Sequence, residues 1–243
     1  MTLNDLWAQL ESDLKWRQDE LRLLSNSVAR INQSSDQDRA RRAQFVMLYA
    51  HTEGFCKVAL STYVKAINDL QLAVQTVSEN IVASAFADVF HAVTHGDPKG
   101  KVFKLPLPDD KGLMVFSRRC EFISDIQALL SRPVSVPDTA VDTESNLSSK
   151  VLRRNLYRLG FPPNKFEKYE GDLDELAYRR HNIAHGVNDD PIRRDLYVRL
   201  ERNAVGFMEE LVFSIIDSTE QSSFLKKLIP AAQGALASNG LNP

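Results

Sequence analysis

The densest group of side chains that could do chemistry runs from Tyr178 to Gly186 and reads Tyr-Arg-Arg-His-Asn-Ile-Ala-His-Gly. It contains two of the five histidines of the chain, and His185 follows Arg180 by five positions. Histidine, with an ordinary pKa of about 6.5, can donate or accept a proton near neutral pH, and the planar guanidinium of arginine suits a phosphate group. The spacing alone does not decide the function, because about one such pair is expected by chance in a chain of this composition.

Two segments of the sequence resemble the HEPN superfamily, specifically the HEPN-like ribonucleases of the toxin–antitoxin, RiboL-PSP-HEPN type. The first runs from Arg180 to His185, where an arginine, a polar residue, a short spacer and a histidine are followed by glycine. The second lies on the predicted second helix and is similar to the Glu-Gly-Phe-x-Lys helix of these nucleases: Tyr49, His51, Glu53, Gly54, Phe55, Lys57 and Tyr63. A weaker similarity covers residues 145–160. Together these segments lie in the region from about residue 40 to 217.

The resemblance implies a metal-independent endoribonuclease that needs no cofactor and acts as a two-fold homodimer. RNA would be cut to a 2′,3′-cyclic phosphate and a 5′-hydroxyl, with His185 transferring protons and Arg180 neutralising the phosphate. A bacterial toxin or a phage-defence effector is the setting that the resemblance implies, with an antitoxin protein as a possible partner. The alternative is a HEPN module that binds RNA or nucleotide, or mediates assembly, without cleaving.

The chemistry of such a cleavage sets a geometric condition on the motif. It needs a base for the 2′-hydroxyl, an acid for the departing 5′-oxygen, and positive charge at the phosphorane. Five residues of a regular helix turn by about 500°, which leaves Arg180 and His185 about 140° apart and displaced by about 7.5 Å along the axis. Their convergence on one phosphate therefore requires a helix distorted near Asn182, an arginine side chain that wraps round the helix, or a second subunit.

Four further residues are candidates for supporting roles. Arg179 is also in register with the histidine, so either arginine could act. His181 occupies the polar position after the arginine, where it departs from the commonest family pattern. Asn182 could bond a phosphate or a backbone carbonyl, and Glu53 could orient an arginine or histidine of a facing helix.

Histidine and arginine also permit other interpretations. His181 and His185 have a metal-ligand spacing, but the sequence forms no H-E-x-x-H motif and shows no third ligand, so no metal site is predicted. Between residues 150 and 202 there are 12 basic and 9 acidic residues, a net charge of +3. Weak RNA-binding candidates in this region, which could equally form a solvated helix face, are Arg153, Arg154, Arg193 and Arg194.

Periodic apolar residues predict an all-α, HEPN-like helical bundle with an extra long N-terminal helix and loop insertions. The first helix carries a stripe in which eight of nine positions are apolar, Arg17 being the exception. Helices are predicted at 3–31, 38–70, 74–95, 113–130, 149–159, 173–185 with Asp172 as N-cap, from Asp190-Pro191 to 217, and 223–232. Residues 99–112 and 132–149 are predicted to be loops, the first with a short strand at 101–105. One domain, 1–243, is expected: an N-terminal helix and loop to 37, a core over 38–217, and a C-terminal helix and tail.

Composition narrows the class of protein. With 243 residues, 43% of them hydrophobic, and a net charge of −2, the chain can bury a sizeable core and carries no global field for nucleic acid. Glycine and proline together make up only 20 residues, which favours helices. No apolar run is long enough to span a membrane and Asp5 and Glu11 do not suit a signal peptide, so a cytoplasmic protein without membrane contact is predicted. The two cysteines predict no disulfide framework.

Overall fold

A computed structural model of the chain describes residues 1–96, 110–144, 146–187 and 192–226. Within these ranges the chain forms α-helices and two short 3-10 turns, at 74–76 and 138–140, and contains no β-strand. The predicted all-α bundle is thereby confirmed. The helices are α1 (Leu3–Ala29), α2 (Ser34–Asp69), α3 (Glu79–Ala85), α4 (Ala87–His95), α5 (Lys111–Ser131), α6 (Ser149–Arg158), α7 (Glu167–Ala184) and α8 (Arg194–Glu220). None of these helices is both long enough and apolar enough to cross a membrane.

Helix α2 is the centre of the bundle, because α1, α7 and α8 all pack against it. Its buried side chains therefore lie on more than one face, where a surface helix would bury only one stripe. The largest of them include Phe45, Leu48, Phe55, Leu60, Tyr63 and Ile67. The helix that carries the arginine–histidine motif, α7, is thus packed directly on the helix that carries the Glu-Gly-Phe segment.

The ends of three helices meet at one end of the molecule. Helices α7 and α8 run antiparallel, because Tyr169 of α7 bonds to Glu210 and Asp172, later in α7, bonds to Asn203, which lies earlier in α8. The C-terminus of α7 therefore lies at the same end as the N-terminus of α8. The N-terminal part of α2 reaches this end too, since Arg41 Nη1 donates a hydrogen bond to the carbonyl of Ile192 at 2.9 Å.

Helices α1 and α2 pack side by side and antiparallel, with an arginine buried between them. Arg17, the polar exception in the apolar stripe of α1, is only 7% exposed and donates from Nη1 to the carbonyl of His51 at 3.3 Å. Its Nε donates to Asp13 at 2.8 Å. A Cβ atom added at Gly54 would lie 2.8 Å from Arg17 Nη1. The glycine of the Glu-Gly-Phe segment is therefore required by the close approach of the Arg17 guanidinium.

We expect Gly54→Ala to lower the free energy of unfolding by about 1–2 kcal/mol, since the added methyl group forces the Arg17 guanidinium off its buried partners. Gly171→Ala in α7 is the matched control, because a Cβ there meets nothing within 4 Å. The control should raise stability by about 0.5–1 kcal/mol through the ordinary helix preference of alanine. Thermal denaturation followed by circular dichroism compares the two. Equal melting temperatures of the Gly54→Ala and Gly171→Ala proteins would show that the Arg17 guanidinium does not need the space at residue 54.

Two of the predicted helices were wrong in extent. The single helix predicted over 74–95 is instead a 3-10 turn followed by α3 and α4, which meet at Phe86. The start of this region is held by bonds from distant residues: Val74 N donates to the carbonyl of Arg132 and Ser78 N donates to that of Phe224. These contacts fix the chain in a non-helical path before α3 begins.

Asp172 is not an N-cap. It lies inside α7, which begins at Glu167, and its carboxylate pairs with Arg199 and bonds to Asn203 on α8. The predicted starting point Asp190-Pro191 and the predicted strand at 101–105 lie outside the described residues, and α8 begins at Arg194. Ser223 and Phe224 lie in a turn and Leu225 forms an isolated bridge with Val77, and the helix predicted for 223–232 otherwise lies outside the described residues.

Candidate active site

Helix α7 ends inside the arginine–histidine motif because of its glycine. Gly186 adopts a left-handed conformation, with φ of 64°. Its N–H donates to the carbonyl of Ile183 at 3.2 Å, and the N–H of Val187 donates to that of Asn182 at 3.0 Å. This is the Schellman arrangement, which satisfies the last carbonyls of a helix and favours glycine at the left-handed position. His185 therefore caps the end of α7, where its side chain is exposed.

The helix is continuous through Asn182, so the distortion considered at that residue is absent. The side chain of Asn182 is half-buried and makes no hydrogen bond to another residue in the described ranges. Its backbone carbonyl instead accepts the bond that closes the helix. The structure thus gives Asn182 a part in ending α7.

Arg180 is held against an aromatic ring of α2. Its guanidinium carbon lies 4.4 Å from the centroid of the Tyr49 ring, and the arginine is half-buried. The ring is itself fixed, because the Tyr49 hydroxyl accepts a hydrogen bond of 2.6 Å from the N–H of Leu147. A cation over a desolvated aromatic face is worth about 2 kcal/mol. The contact therefore sets where the Arg180 side chain lies.

Glu53 lies one helical turn after Tyr49 and adds a carboxylate to the site that contains the Arg180 guanidinium. Its Oε1 atom is buried and has no hydrogen-bond partner within the described part of the chain. Burial raises the pKa of Tyr49; the hydrogen bond with Arg180 opposes this rise, and the negative charge of Glu53 adds to it. Tyr49 thus stays a neutral phenol near neutral pH. Glu53 adds negative charge close to the Arg180–Tyr49 pair.

The outer face of α7 presents a row of rings at the same helix end. The rings of His181 and His185 have their centroids 4.4 Å apart, and both side chains are exposed. Tyr178, one turn earlier, is 65% exposed. Arg180 faces α2 while these rings face solvent, so a single chain does not bring Arg180 and His185 onto one face.

Arg179 and Arg180 have different surroundings. Arg179 forms an ion pair with Glu175, one turn earlier on the same helix. Arg180 contacts Tyr49 of another helix. Both are partly exposed.

Sequence reasoning did not identify Tyr49 as a functional residue, although it quoted Tyr49 within the second motif. The signal was the spacing of Tyr49 and Glu53, which are four residues apart and so lie on the same face of α2. Only the structure shows that this face meets Arg180. In the described residues, no group of three or more histidine, cysteine, aspartate or glutamate side chains could hold a metal ion.

Three of the four weak RNA-binding candidates form ion pairs, and the fourth, Arg194, is exposed. Arg153 binds Glu170 with two hydrogen bonds, and Arg154 pairs with Glu144. Both of these arginines therefore take part in packing α6 against neighbouring chain. Arg193 pairs with Asp195 and is 80% exposed at its side chain.

His51, in the second motif, is a buried histidine. It is 3% exposed, its ring packs edge-on against Trp16, and its Nε2 lies 3.1 Å from a carboxylate oxygen of Glu20. Burial lowers the pKa of His51 and is the largest effect. Glu20 and Asp13 raise it, and Arg17 lowers it further.

The lowered pKa predicts how stability depends on pH. The unfolded chain takes up a proton on this histidine at about pH 6.5, whereas the folded chain does so only at lower pH. The stabilisation is therefore complete above the unfolded pKa and is lost as the pH falls below it. We expect His51→Gln to flatten the decline in unfolding free energy between about pH 7.5 and 5, measured by urea denaturation. His91→Gln, at an exposed histidine, should leave the decline unchanged; the same decline in all three proteins would contradict the assignment.

Comparison with known proteins found one family. A family model described as HEPN_MAE_28990-like HEPN matches residues 6–224 of the chain. No similar curated protein and no similar solved structure was found.

Proposed function

The chain belongs to the HEPN_MAE_28990-like HEPN family, and from that premise we propose that it is a metal-independent endoribonuclease. One observation carries the proposal: the Schellman turn at Gly186 places His185 exposed at the end of α7, while Tyr49 holds Arg180 one turn earlier. An exposed imidazole can exchange protons with a substrate. A guanidinium held over the Tyr49 ring keeps its charge, and its planar set of N–H donors suits a phosphate group.

The reaction needs both an acid and a base, and a dimer supplies both. In the proposed mechanism His185 removes the proton of the 2′-hydroxyl, the oxygen attacks the adjacent phosphorus, and the bond to the 5′-oxygen breaks. The partner's His185 gives a proton to that oxygen, while Arg180 stabilises the negative charge of the phosphorane. The products are a 2′,3′-cyclic phosphate and a 5′-hydroxyl.

A homodimer also resolves the geometry of the motif. Because Arg180 and His185 face different directions in one chain, a two-fold axis beside the end of α7 would bring the histidine of one copy toward the arginine of the other. A toxin or phage-defence effector, restrained by an antitoxin, is the biological setting that we propose from the family likeness. Sedimentation equilibrium at micromolar concentration tests the dimer, and a monomer at all concentrations would exclude it.

A second candidate is a non-catalytic HEPN module that binds RNA or nucleotide. The observation that favours it is that Arg180 faces α2 and not the row of rings on α7. This candidate predicts binding of RNA without any loss of full-length substrate.

The experiment that separates these functions is incubation of the purified protein with mixed RNA in excess EDTA. The nuclease proposal expects cleavage that chelation leaves unchanged, with cyclic phosphate at the new 3′ ends. DNA of the same sequence should stay intact, because it lacks the attacking 2′-hydroxyl. Intact RNA would favour the binding module, and activity lost with EDTA would overturn the metal-free mechanism.

A further inference from the structure

A basic groove lies where α2 and α8 begin. It has a volume of about 1020 Å³ and is lined by the first two turns of α2 and the first three turns of α8. Asp38 and Asp195 are the acidic residues in this lining. Five arginines line the same groove: Arg41, Arg193, Arg194, Arg199 and Arg202. In a protein whose net charge is −2, this local excess of positive charge selects an anionic ligand.

The arrangement of the arginines suits a chain of phosphates better than a single anion. Three of them are ion-paired: Arg41 with Asp38, Arg193 with Asp195, and Arg199 with Asp172. Arg194 and Arg202 are exposed and form no ion pair within the described ranges. They are eight residues apart on α8, which places them about 12 Å apart along the helix axis. Arg194 and Arg202 are too far apart to bind the same phosphate, but they can bind separate phosphates of one strand.

The backbone at this end of the molecule adds to the positive field. The side chains of the N-cap residues of α2 and α8, Gln33 and Arg193, make no capping bond, and in α8 the Asp195 carboxylate bonds backbone N–H groups of the first turn. In α1, α5 and α6 the side chain of the N-cap residue makes this bond. The positive ends of the α2 and α8 dipoles therefore lie at the groove, where Asp195 offsets part of their charge.

The groove is connected to the candidate active site by a short length of chain. Arg41 bonds to the carbonyl of Ile192, which follows His185 by seven positions, so the two residues lie at most about 25 Å apart. Arg199 contacts α7 directly through Asp172. We propose that this groove binds the sugar–phosphate backbone of the RNA substrate beside the scissile phosphate. The inference rests on the nuclease proposed above and deepens it by naming where the substrate lies.

The test uses charge reversal in a protein that cannot cut its probe. The full-length His185→Ala protein is compared with the same protein carrying Arg194→Glu and Arg202→Glu. Lys15→Glu with Arg22→Glu on α1 is the matched control, since it changes the net charge equally at exposed side chains outside the groove. Fluorescence anisotropy with a labelled single-stranded RNA of about 12 nucleotides measures affinity across a series of salt concentrations. Circular dichroism checks that all three proteins are folded, and Arg194→Gln with Arg202→Gln provides a milder second variant.

The groove pair should weaken RNA binding about tenfold or more and reduce the slope of log affinity against log salt by about 1.4, since each lost contact to a single-stranded phosphate contributes about 0.7. DNA of the same sequence should show the same loss, because backbone contacts carry no information on the 2′-hydroxyl. An equal affinity and slope in the groove pair and the α1 pair overturns the inference. If the wild type cleaves no RNA although the groove pair abolishes binding, the nuclease is wrong and the groove stands as an RNA-binding surface.

Discussion

Replacing His185 with alanine should reduce RNA cleavage by about 10²- to 10⁴-fold, the range typical of a lost acid–base group. In the proposed dimer the substitution removes both the base and the acid. His185 is exposed at the last turn of α7, and the Schellman turn that follows is made by backbone atoms. The folded structure should therefore tolerate alanine. Initial rates of cleavage of a labelled RNA, with melting temperature measured in parallel, test this expectation.

His181→Ala is the control for this experiment. The two histidine rings lie 4.4 Å apart on the same exposed end of the helix, so both substitutions disturb a similar surface. The proposed mechanism gives the proton-transfer role to His185 alone. If His181→Ala loses as much activity as His185→Ala while both proteins stay folded, the assignment of the proton-transfer residue to His185 alone is wrong.

Helix positions were largely predictable because periodicity is a local signal. The stripe in α1 and the spacing of Phe45, Leu48 and Phe55 in α2 reflect which faces of a helix are buried, and that information lies within a few turns of chain. The end of α7 was predictable from its glycine for the same reason. Gly186 signals a helix end from its own backbone preference.

Features that depend on distant partners were not predictable in the same way. The path of the chain at Val74 is fixed by a hydrogen bond to the carbonyl of Arg132. Asp172 does not cap α7 as predicted, because its carboxylate pairs with Arg199 of α8. The site shows the same limit. The motif identified Arg180, but its aromatic partner Tyr49 lies on another helix, and spacing along one helix carries no information about which face of another helix it meets.

Arg180→Ala, which removes the guanidinium, is expected to reduce kcat for RNA cleavage by about 10²-fold or more. This is the usual effect of losing one group that stabilises a charged transition state. Arg180→Lys should recover only part of this loss, because an ammonium keeps the charge but lacks the planar fork. Arg179→Ala is the control, since its guanidinium pairs with Glu175 on its own helix. Equal losses at residues 179 and 180 would contradict the choice of arginine.

The same prediction extends to the ring beneath the guanidinium. Tyr49→Leu removes the face on which Arg180 rests, whereas Tyr49→Phe keeps that face and loses only the hydrogen bonds of the hydroxyl with Leu147 and Arg180. If the ring positions Arg180 for the transition state, Tyr49→Leu should lower kcat with little change in KM, and Tyr49→Phe should retain most of the activity. A purely structural role would instead lower the melting temperature of Tyr49→Leu and leave the kcat of its folded fraction at the wild-type value. That result would remove Tyr49 from the site and leave the position of Arg180 to its other contacts.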